Sequence, residues 1–300
     1  MNLNKLKYFV TAVNLGTISR AAEHLHISQP SLSVVIRELE NEFGVPLLER
    51  KRTGVVPTDE GKVLMSLGSD LLLRAENARD TMIALGKGRK TVRIGIPPMI
   101  GALVLPLIYG DFCEKNEEIK VEISEGGGED LLERLLSGEV DVAILPSDLP
   151  LVVGKRKRPF ARLSTELAIS DKSNAVLPDG VSAEDLSGLG LALFGDGFFQ
   201  TERVKRWFRE QGCDPNVLLS SDRLATVVGM IASGAAAGFL FRELPLCELG
   251  IRFVKLKKPI VTSFSIVHTQ HGFGGEAVIR LCEFLESVGK RISAEGEEAV

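Results

Sequence analysis

The stretch Thr17-Ile18-Ser19-Arg20-Ala21-Ala22-Glu23-His24-Leu25-His26-Ile27-Ser28-Gln29-Pro30-Ser31-Leu32-Ser33-Val34-Val35-Ile36-Arg37-Glu38-Leu39-Glu40 holds two helix starts in quick succession. Thr17 and Ser28 each offer a side-chain oxygen to amides that no helical carbonyl reaches. Pro30 stands in a first turn, where its missing N–H does no harm. In the second helix Leu32, Ile36, Leu39 and Phe43 recur at steps of four, three and four, which predicts that this face turns inward. The opposite face carries Pro30, Ser33, Val34, Arg37 and Asn41 in place of the Lys and Glu of an ordinary solvated surface. Ala21 and Ala22 leave the first helix small enough to cross the second closely, as a helix-turn-helix requires. The DNA major groove admits one such helix, in which Arg37 suits guanine, Ser33 several base edges and Val34 a thymine methyl.

Downstream of Phe43, Gly44 and Pro46 break the helix, and Leu47-Leu48-Glu49-Arg50-Lys51-Arg52-Thr53-Gly54-Val55-Val56-Pro57-Thr58 reads as a two-stranded wing with three cations at its tip. Cations so placed meet phosphates and position the protein without reading sequence. Upstream, Leu3, Leu6, Phe9, Val10 and Val13 predict a helix that covers the helix-turn-helix core. From Asp59 onward Leu64, Leu67, Leu71, Ala75, Ala78, Met82 and Leu85 step by three and four along one long helix. Such a seam, on a helix with little else to cover it, is expected to pair with a second copy. Gly86-Lys87-Gly88-Arg89-Lys90 then predicts a charged hinge.

Beyond the hinge, strand and helix alternate. Strands are predicted at 92–96, 119–125 and 140–145, with helices at 102–114 and 129–137 between them. A second round of alternation follows from Leu163, the chain returns through strands near 251–256 and 262–268, and it closes in a helix near 276–288. Continuous apolar strands in this order imply α/β layers with parallel sheet covered on both faces.

The net charge of −4 is unevenly spread. Residues 1–90 hold 13 Lys and Arg against 10 Asp and Glu, and residues 91–300 hold 23 against 30. A nucleic-acid reader needs a local basic footprint and not a basic pI, and Arg20, Arg37, Arg50, Lys51 and Arg52 supply one. No run of eighteen apolar residues occurs, and Met1-Asn2-Leu3-Asn4-Lys5 opens an amphipathic pattern unlike a signal peptide, so a cytoplasmic protein without membrane contact is expected. Cys113, Cys213, Cys247 and Cys282 are scattered without a C-x-x-C pair and are expected to be reduced, buried thiols.

The residues of the first 62 positions closely resemble the LysR-type transcriptional regulators. The resemblance is carried by Gly16-Thr17-Ile18-Ser19-Arg20-Ala21-Ala22-Glu23-His24-Leu25 and Ser28-Gln29-Pro30-Ser31-Leu32-Ser33. It continues in Leu39-Glu40, Phe43-Gly44, Leu47-Leu48, Arg50 and Pro57-Thr58-Asp59-Glu60-Gly61, and more weakly, in element order, to the C-terminus. Val34, Val35, Leu48 and Glu49 depart from the family pattern at positions that bear on the DNA sequence preferred. The resemblance implies a winged helix-turn-helix (residues 1–58), a dimerising linker helix (59–86) and a two-lobed effector domain like a periplasmic binding protein (91–300). Its lobes would comprise about 91–160 with 268–300, and about 161–267. It further implies an interrupted inverted-repeat target, a homodimer or homotetramer, RNA polymerase as a partner and a small-molecule effector. Candidate DNA-contacting residues are Thr17, Arg20, Gln29, Pro30, Ser31, Ser33, Val34, Arg37, Arg50, Lys51 and Arg52.

In that family the effector cleft is lined by the turns after the first two strands of the domain and by a helix start in the other lobe. Here those places are Pro98, Met99 and Ile100, then Gly127 and Gly128, then Phe198, Phe199, Gln200 and Thr201, with Pro146 and Ser147 at the crossover. Apolar walls and two helix starts predict a ligand with a hydrophobic or aromatic body and an anionic end held by backbone N–H groups, without an arginine at these positions.

Other motifs carry less. Gly126-Gly127-Gly128 lacks the spacing of a nucleotide loop, and Glu129 and Asp130 already answer the following helix dipole. His268 and His271 have no further metal ligands nearby, Lys155-Arg156-Lys157-Arg158 reads as a solvated loop, and Trp207 reads as helix packing. No cofactor is expected, and no catalytic frame of Ser, His and Asp or of Cys and His emerges. The rival readings are a transport solute-binding domain or an enzyme fused to a DNA-binding module.

Overall fold

The computed structural model describes residues 1–51, 54–86, 90–149, 155–269 and 275–298. The chain divides into two compact units, Met1–Met82 and Ile83–Val300.

In the first unit, helices α1 (Leu3–Leu15), α2 (Ile18–His24) and α3 (Gln29–Phe43) precede a hairpin of β1 (Leu48–Lys51) and β2 (Gly54–Pro57), and α4 (Asp59–Gly86) follows. Thr17 caps α2 by accepting from the Arg20 amide, and Ser28 caps α3 by accepting from the Ser31 amide, as the sequence predicts. Leu6, Phe9, Ala12, Ala21, Ala22, Leu32, Ile36, Leu39 and Leu47 form one buried core. Phe43 does not join it: the ring is 43% exposed. Left-handed Gly44 turns the chain back one residue later, and Leu47 fills the core in its place. Along α4, Leu64 and Met65 pack against this same core. The first member of the predicted seam therefore serves the head, whereas Leu67, Leu71 and Met82 are 61%, 44% and 62% exposed. The hinge residues 87–89 lie outside the described residues.

The second unit contains β3 (Lys90–Ile96), α5 (Pro98–Leu107), β4 (Ile119–Glu125), α6 (Gly128–Ser137), β5 (Val142–Pro146) and β6 (Lys155–Ser170). It continues through β7 (Leu191–Leu193), α7 (Phe199–Arg209), β8 (Val217–Ser220), α8 (Leu224–Ala232), β9 (Ala237–Phe241), β10 (Ile251–Val254), β11 (Ile260–Thr269) and α9 (Gly275–Glu298). The strands run in the order β4-β3-β5-β11-β6-β9-β7-β8, with β10 on β6. β3 is parallel to β4 and β5, and β7 is parallel to β8 and β9. Between these parallel groups β6 and β11 run antiparallel to each other and to their outer neighbours, so two α/β lobes share a bridge. The sheet is therefore mixed where alternation alone predicts parallel strands.

Two stretches differ from the sequence expectation. The first helix of this unit begins at Pro98 and not at Ala102, because Pro98 supplies the φ of a first turn and has no N–H to leave unpaired. Pro106 then interrupts the ladder, and the helix continues as a π-helical segment, Ile108–Cys113. The basic run 155–158 is not a loop; it opens β6, with Arg156 opposite His268 and Arg158 opposite Ile266. The ladder satisfies its backbone while the heads of Arg156 and Lys157 stay exposed and Arg158 pairs with Glu286 at 3.2 Å.

Candidate functional site

Two places bring candidate residues together. The first is the exposed side of α3. Gln29, Pro30, Ser31, Val34 and Arg37 are exposed there, and Ser33 is half-buried. Val34 is 51% exposed although every neighbouring valine or isoleucine of the helix is more covered. Arg37 and Ser33 also border a recess of about 160 Å³ with Ile18, Ile36, Glu40, Leu48 and Val55, where α3 meets the wing. Arg20 is exposed on α2, whereas Thr17 is half-buried with its hydroxyl occupied by the helix cap.

The wing is held rigidly at its base. Glu40 Oε1 accepts from the Leu47 amide at 2.9 Å and the Leu48 amide at 3.2 Å, which ties the hairpin to the reading helix. On the return strand the Val55 amide donates to the Gly16 carbonyl at 2.8 Å. Gly54 has φ 139, and a Cβ there would collide with the Gly16 carbonyl oxygen, so only glycine fits. Thr58 closes the base by donating its hydroxyl to the Pro46 carbonyl at 2.8 Å. At the tip Lys51 is exposed, with Glu49 at 3.8 Å. The Arg50 side chain and all of Arg52 lie outside the described residues.

The second place is the cleft between the lobes, where α5, α6 and α7 all begin. Gly127 and Phe198 occupy the cap positions of α6 and α7, and neither helix has a side-chain cap. Gly127 faces Gly197 of the other lobe so closely that an added Cβ would stand 2.5 Å from the Gly197 oxygen. One cavity, of about 510 Å³, is bordered by Pro98, Gly126, Gly127 and Phe198 together with Glu125, Glu129, Asp130, Glu133, Arg134, Asp196 and Asp222. A second, of about 440 Å³, is bordered by Gly128, Glu129, Pro146, Asp148, Leu149, Gly197, Phe199, Glu202, Arg203 and Arg206. Both volumes are those of ordinary small-molecule sites.

Six of the sequence-predicted cleft residues therefore border a cavity: Pro98, Gly127 and Phe198 the first, Gly128, Pro146 and Phe199 the second. The remaining five do not. Met99 and Ile100 are 3% and 0% exposed in the lobe core. Ser147 shares a 2.6 Å hydrogen bond with Ser265. Gln200 donates to the Thr165 hydroxyl at 3.1 Å, and Thr201 donates to the Phe194 carbonyl at 2.8 Å. Each helical residue turns the chain by about 100°, so the side chains after Phe199 rotate into the core. The same rotation returns Arg203 and Arg206 to the cleft side, an arginine pair that was legible from spacing to Phe199 and that the turn-by-turn expectation missed. Arg203 is engaged by Asp148 at 2.6 Å. In the sequence Glu129 and Asp130 answer only the helix dipole and Glu125, Asp196 and Asp222 carry no signal, yet together they give the first cavity an acidic border where an apolar one was expected. Burial pushes the Glu125 carboxyl above the ordinary range.

No cysteine borders either cavity. Cys282 is buried and its thiol is pushed up to about 12 by desolvation, whereas Cys113 and Cys213 are half-buried and Cys247 is exposed, contrary to the expectation of four buried thiols. His268 is buried on β11 and His271 lies outside the described residues. Among the described residues no three His, Cys, Asp or Glu could hold a metal ion, and no helix is long and apolar enough to cross a membrane. Trp207 is packing: it is 3% exposed and donates to the Lys258 carbonyl at 2.7 Å.

Residues 3–62 match the model of the bacterial regulatory helix-turn-helix proteins of the lysR family, and residues 86–290 match that of the LysR substrate binding domain. The nitrogen assimilation regulatory protein nac of Klebsiella aerogenes is 31% identical over 245 residues, covering 80% of this chain and 78% of that protein. The hydrogen peroxide-inducible genes activator of Dickeya chrysanthemi is 28% identical over 246 residues, covering 80% and 79%. The crystal structure of full-length CbnR in complex with its target DNA superposes with a TM-score of 0.72 at 21% identity, over 96% of this chain and 100% of that one. The chain belongs to the LysR family of DNA-binding transcriptional regulators, with a substrate-binding domain behind its helix-turn-helix.

Proposed function

We propose that α3 reads base edges in the major groove through Gln29, Pro30, Ser33, Val34 and Arg37, and that Thr17, Arg20, Ser31, Arg50, Lys51 and Arg52 engage the backbone around it. The observation that carries this reading is the exposed Val34 and Arg37 beside a half-buried Ser33 on a helix whose start is capped and whose wing is tied to it through Glu40. Exposed apolar and cationic groups held on a rigid helix suit base readout. The exposed seam Leu67, Leu71, Ala78 and Met82, with half-buried Ala75, pairs two copies, so that two reading helices meet an interrupted inverted repeat. A homotetramer working in the cytoplasm with RNA polymerase completes this picture. Residues 1–58, 59–86 and 91–300 act as head, linker and effector domain.

The cleft between the lobes is the effector site in this reading, with Pro98, Gly127, Gly128, Pro146, Phe198 and Phe199 as its apolar and backbone surfaces. Met99, Ile100, Ser147, Gln200 and Thr201 support it from behind. The protein acts by binding and not by catalysis. The peroxide response after which one relative is named is said of that protein and is not carried over to this chain. Selection of the full-length protein on a random duplex library tests the proposal. Enrichment of an inverted repeat with half-sites about one helical turn apart, or a multiple of it, supports it. Enrichment of single, unpaired half-sites contradicts the paired linker.

A further inference from the structure

We propose that Glu40 is a positioning residue for DNA binding: from the reading helix it fixes the direction in which the wing leaves the head, and so decides where the cations at the wing tip meet the phosphates. The inference rests on the reading of α3 and the wing as the elements that meet DNA, and adds what sets the spacing between them.

Packing does not set that spacing by itself. Leu47 is 2% exposed in the head core and pins the chain at one point, but one anchored side chain leaves the hairpin free to swing about it. Leu48 is only half-buried. The seam where α3 meets the hairpin keeps a recess of about 160 Å³, bordered by Ser33, Arg37 and Glu40 on one side and by Leu48 and Val55 on the other. Across this seam Glu40 Oε1 accepts from two successive amides, Leu47 at 2.9 Å and Leu48 at 3.2 Å. One oxygen held between two neighbouring N–H groups defines the direction of the strand as well as its position. The other ties of the hairpin lead away from α3: the Val55 amide donates to the Gly16 carbonyl, and the Thr58 hydroxyl donates to the Pro46 carbonyl.

The strand acts as a lever on whatever holds its base. Lys51 stands three residues beyond Leu48, opposite Gly54. At about 3.3 Å per residue the tip is roughly 10 Å from the tie, so a tilt of about 10° at the base moves it by roughly 2 Å. A displacement of that size breaks a hydrogen bond to a phosphate oxygen, while base contacts made from α3 itself are untouched.

The chemistry of the tie is that of an acceptor. Glu40 lies one helical turn beyond Arg37, on the border of the same recess. A negative charge on the side that faces DNA repels phosphates, so the carboxylate serves binding only through the two amides it holds. An amide oxygen in the same place accepts the same N–H groups without that repulsion.

The test uses full-length protein on a selected operator and its single-base variants at two salt concentrations, with amide exchange read on the same samples. Glu40→Ala is expected to weaken binding to every sequence alike by about tenfold and to lower the salt slope by about 1. Exchange of the Leu47 and Leu48 amides should quicken, with exchange along α3 and the ranking of base variants unchanged. Glu40→Gln is expected to bind within about threefold of the wild type at the wild-type slope. Where Glu40→Ala does not fold, Glu40→Asp, one methylene too short to span the seam, is read in its place with the same expectation. Unchanged affinity and slope in the shortened variant overturn the proposal, and so does relaxed discrimination at one base position, which would make Glu40 a base-reading residue. Glu40→Gln behaving like Glu40→Ala overturns it too, because an acceptor in place would then not hold the wing. Arg37→Ala separates this outcome from the reading of α3: unchanged base discrimination there removes the reading face, whereas relaxed discrimination beside a wild-type Glu40→Ala removes only the role of Glu40.

Discussion

His26 shows what a single residue costs in the reading head. It sits in the turn between α2 and α3 with φ 55, among the described residues the one position other than glycine with a left-handed backbone. L-residues there cost roughly 1–2 kcal/mol relative to right-handed conformations, and glycine escapes the penalty. His26→Gly is therefore expected to stabilise the head by up to about 1 kcal/mol without altering operator preference. Chemical denaturation of the variant checks this; a loss of stability would mean that the imidazole makes a contact worth more than the strain. Glu243 poses the opposite case. Its Oε1 accepts from the Ser164 amide at 3.1 Å, its Oε2 is buried without a partner, and desolvation raises its pKa, with nearby Arg242 lowering it and Glu166 raising it by less. The folded protein thus holds this proton more tightly than the unfolded chain does. Stability is predicted to fall as pH rises from the ordinary carboxylate range to the raised value, and the whole penalty remains above it. Glu243→Gln keeps the acceptor and removes the charge, so it should flatten that decline and melt at or above the wild type at neutral pH. A variant that melts lower at neutral pH would show that the charge itself is used.

At the scale of elements, the capped pair α2–α3 was legible because capping oxygens and apolar steps are local signals. The wing was legible as a hairpin, but its anchoring was not, since the bonds from Glu40 to Leu47 and Leu48 and from Val55 to Gly16 join residues that no period relates. Gly54→Val tests that anchoring. It introduces a Cβ into the Gly16 carbonyl at a left-handed position, and should loosen the hairpin by about 2 kcal/mol or more while leaving α3 in place. Faster amide exchange across 54–56 with weakened binding to all sequences is expected; unchanged exchange would contradict the rigid wing. In α4 the heptad-like seam was legible, whereas the assignment of Leu64 to the head core required the fold. Leu71→Arg should put a cation into the paired seam and dissociate the copies, read by sedimentation. Wild-type assembly of that variant would remove the seam as an interface. The basic start of β6 was misread because charge composition favours loops on average, while a partner strand, β11, supplies the backbone bonds that override it.

In the whole molecule, the order of elements announced two α/β lobes, but the chemistry of their cleft did not follow from order. The turns chosen by analogy of position put Pro98, Gly127 and Phe198 at the cavity, and helical rotation carried Ile100, Gln200 and Thr201 away from it. The carboxylates that set its charge come from the end of β4, from α6 and from the loops at Asp196 and Asp222, places brought together only by the packing of one lobe on the other. Segregation of charge along the sequence, basic toward the head and acidic beyond residue 90, was visible from the start and is consistent with a head that meets DNA and a second unit that does not. Sequence reading by α3 is the central proposal for this molecule. The direct measurement compares wild type, Arg37→Ala and Lys51→Ala on a selected operator and on variants of each base position, at two salt concentrations. Arg37→Ala is predicted to cost about 1–3 kcal/mol on the operator and to relax discrimination at one base position per half-site, whereas Lys51→Ala weakens all sequences alike and lowers the salt slope. Base discrimination unchanged in Arg37→Ala would contradict the reading face.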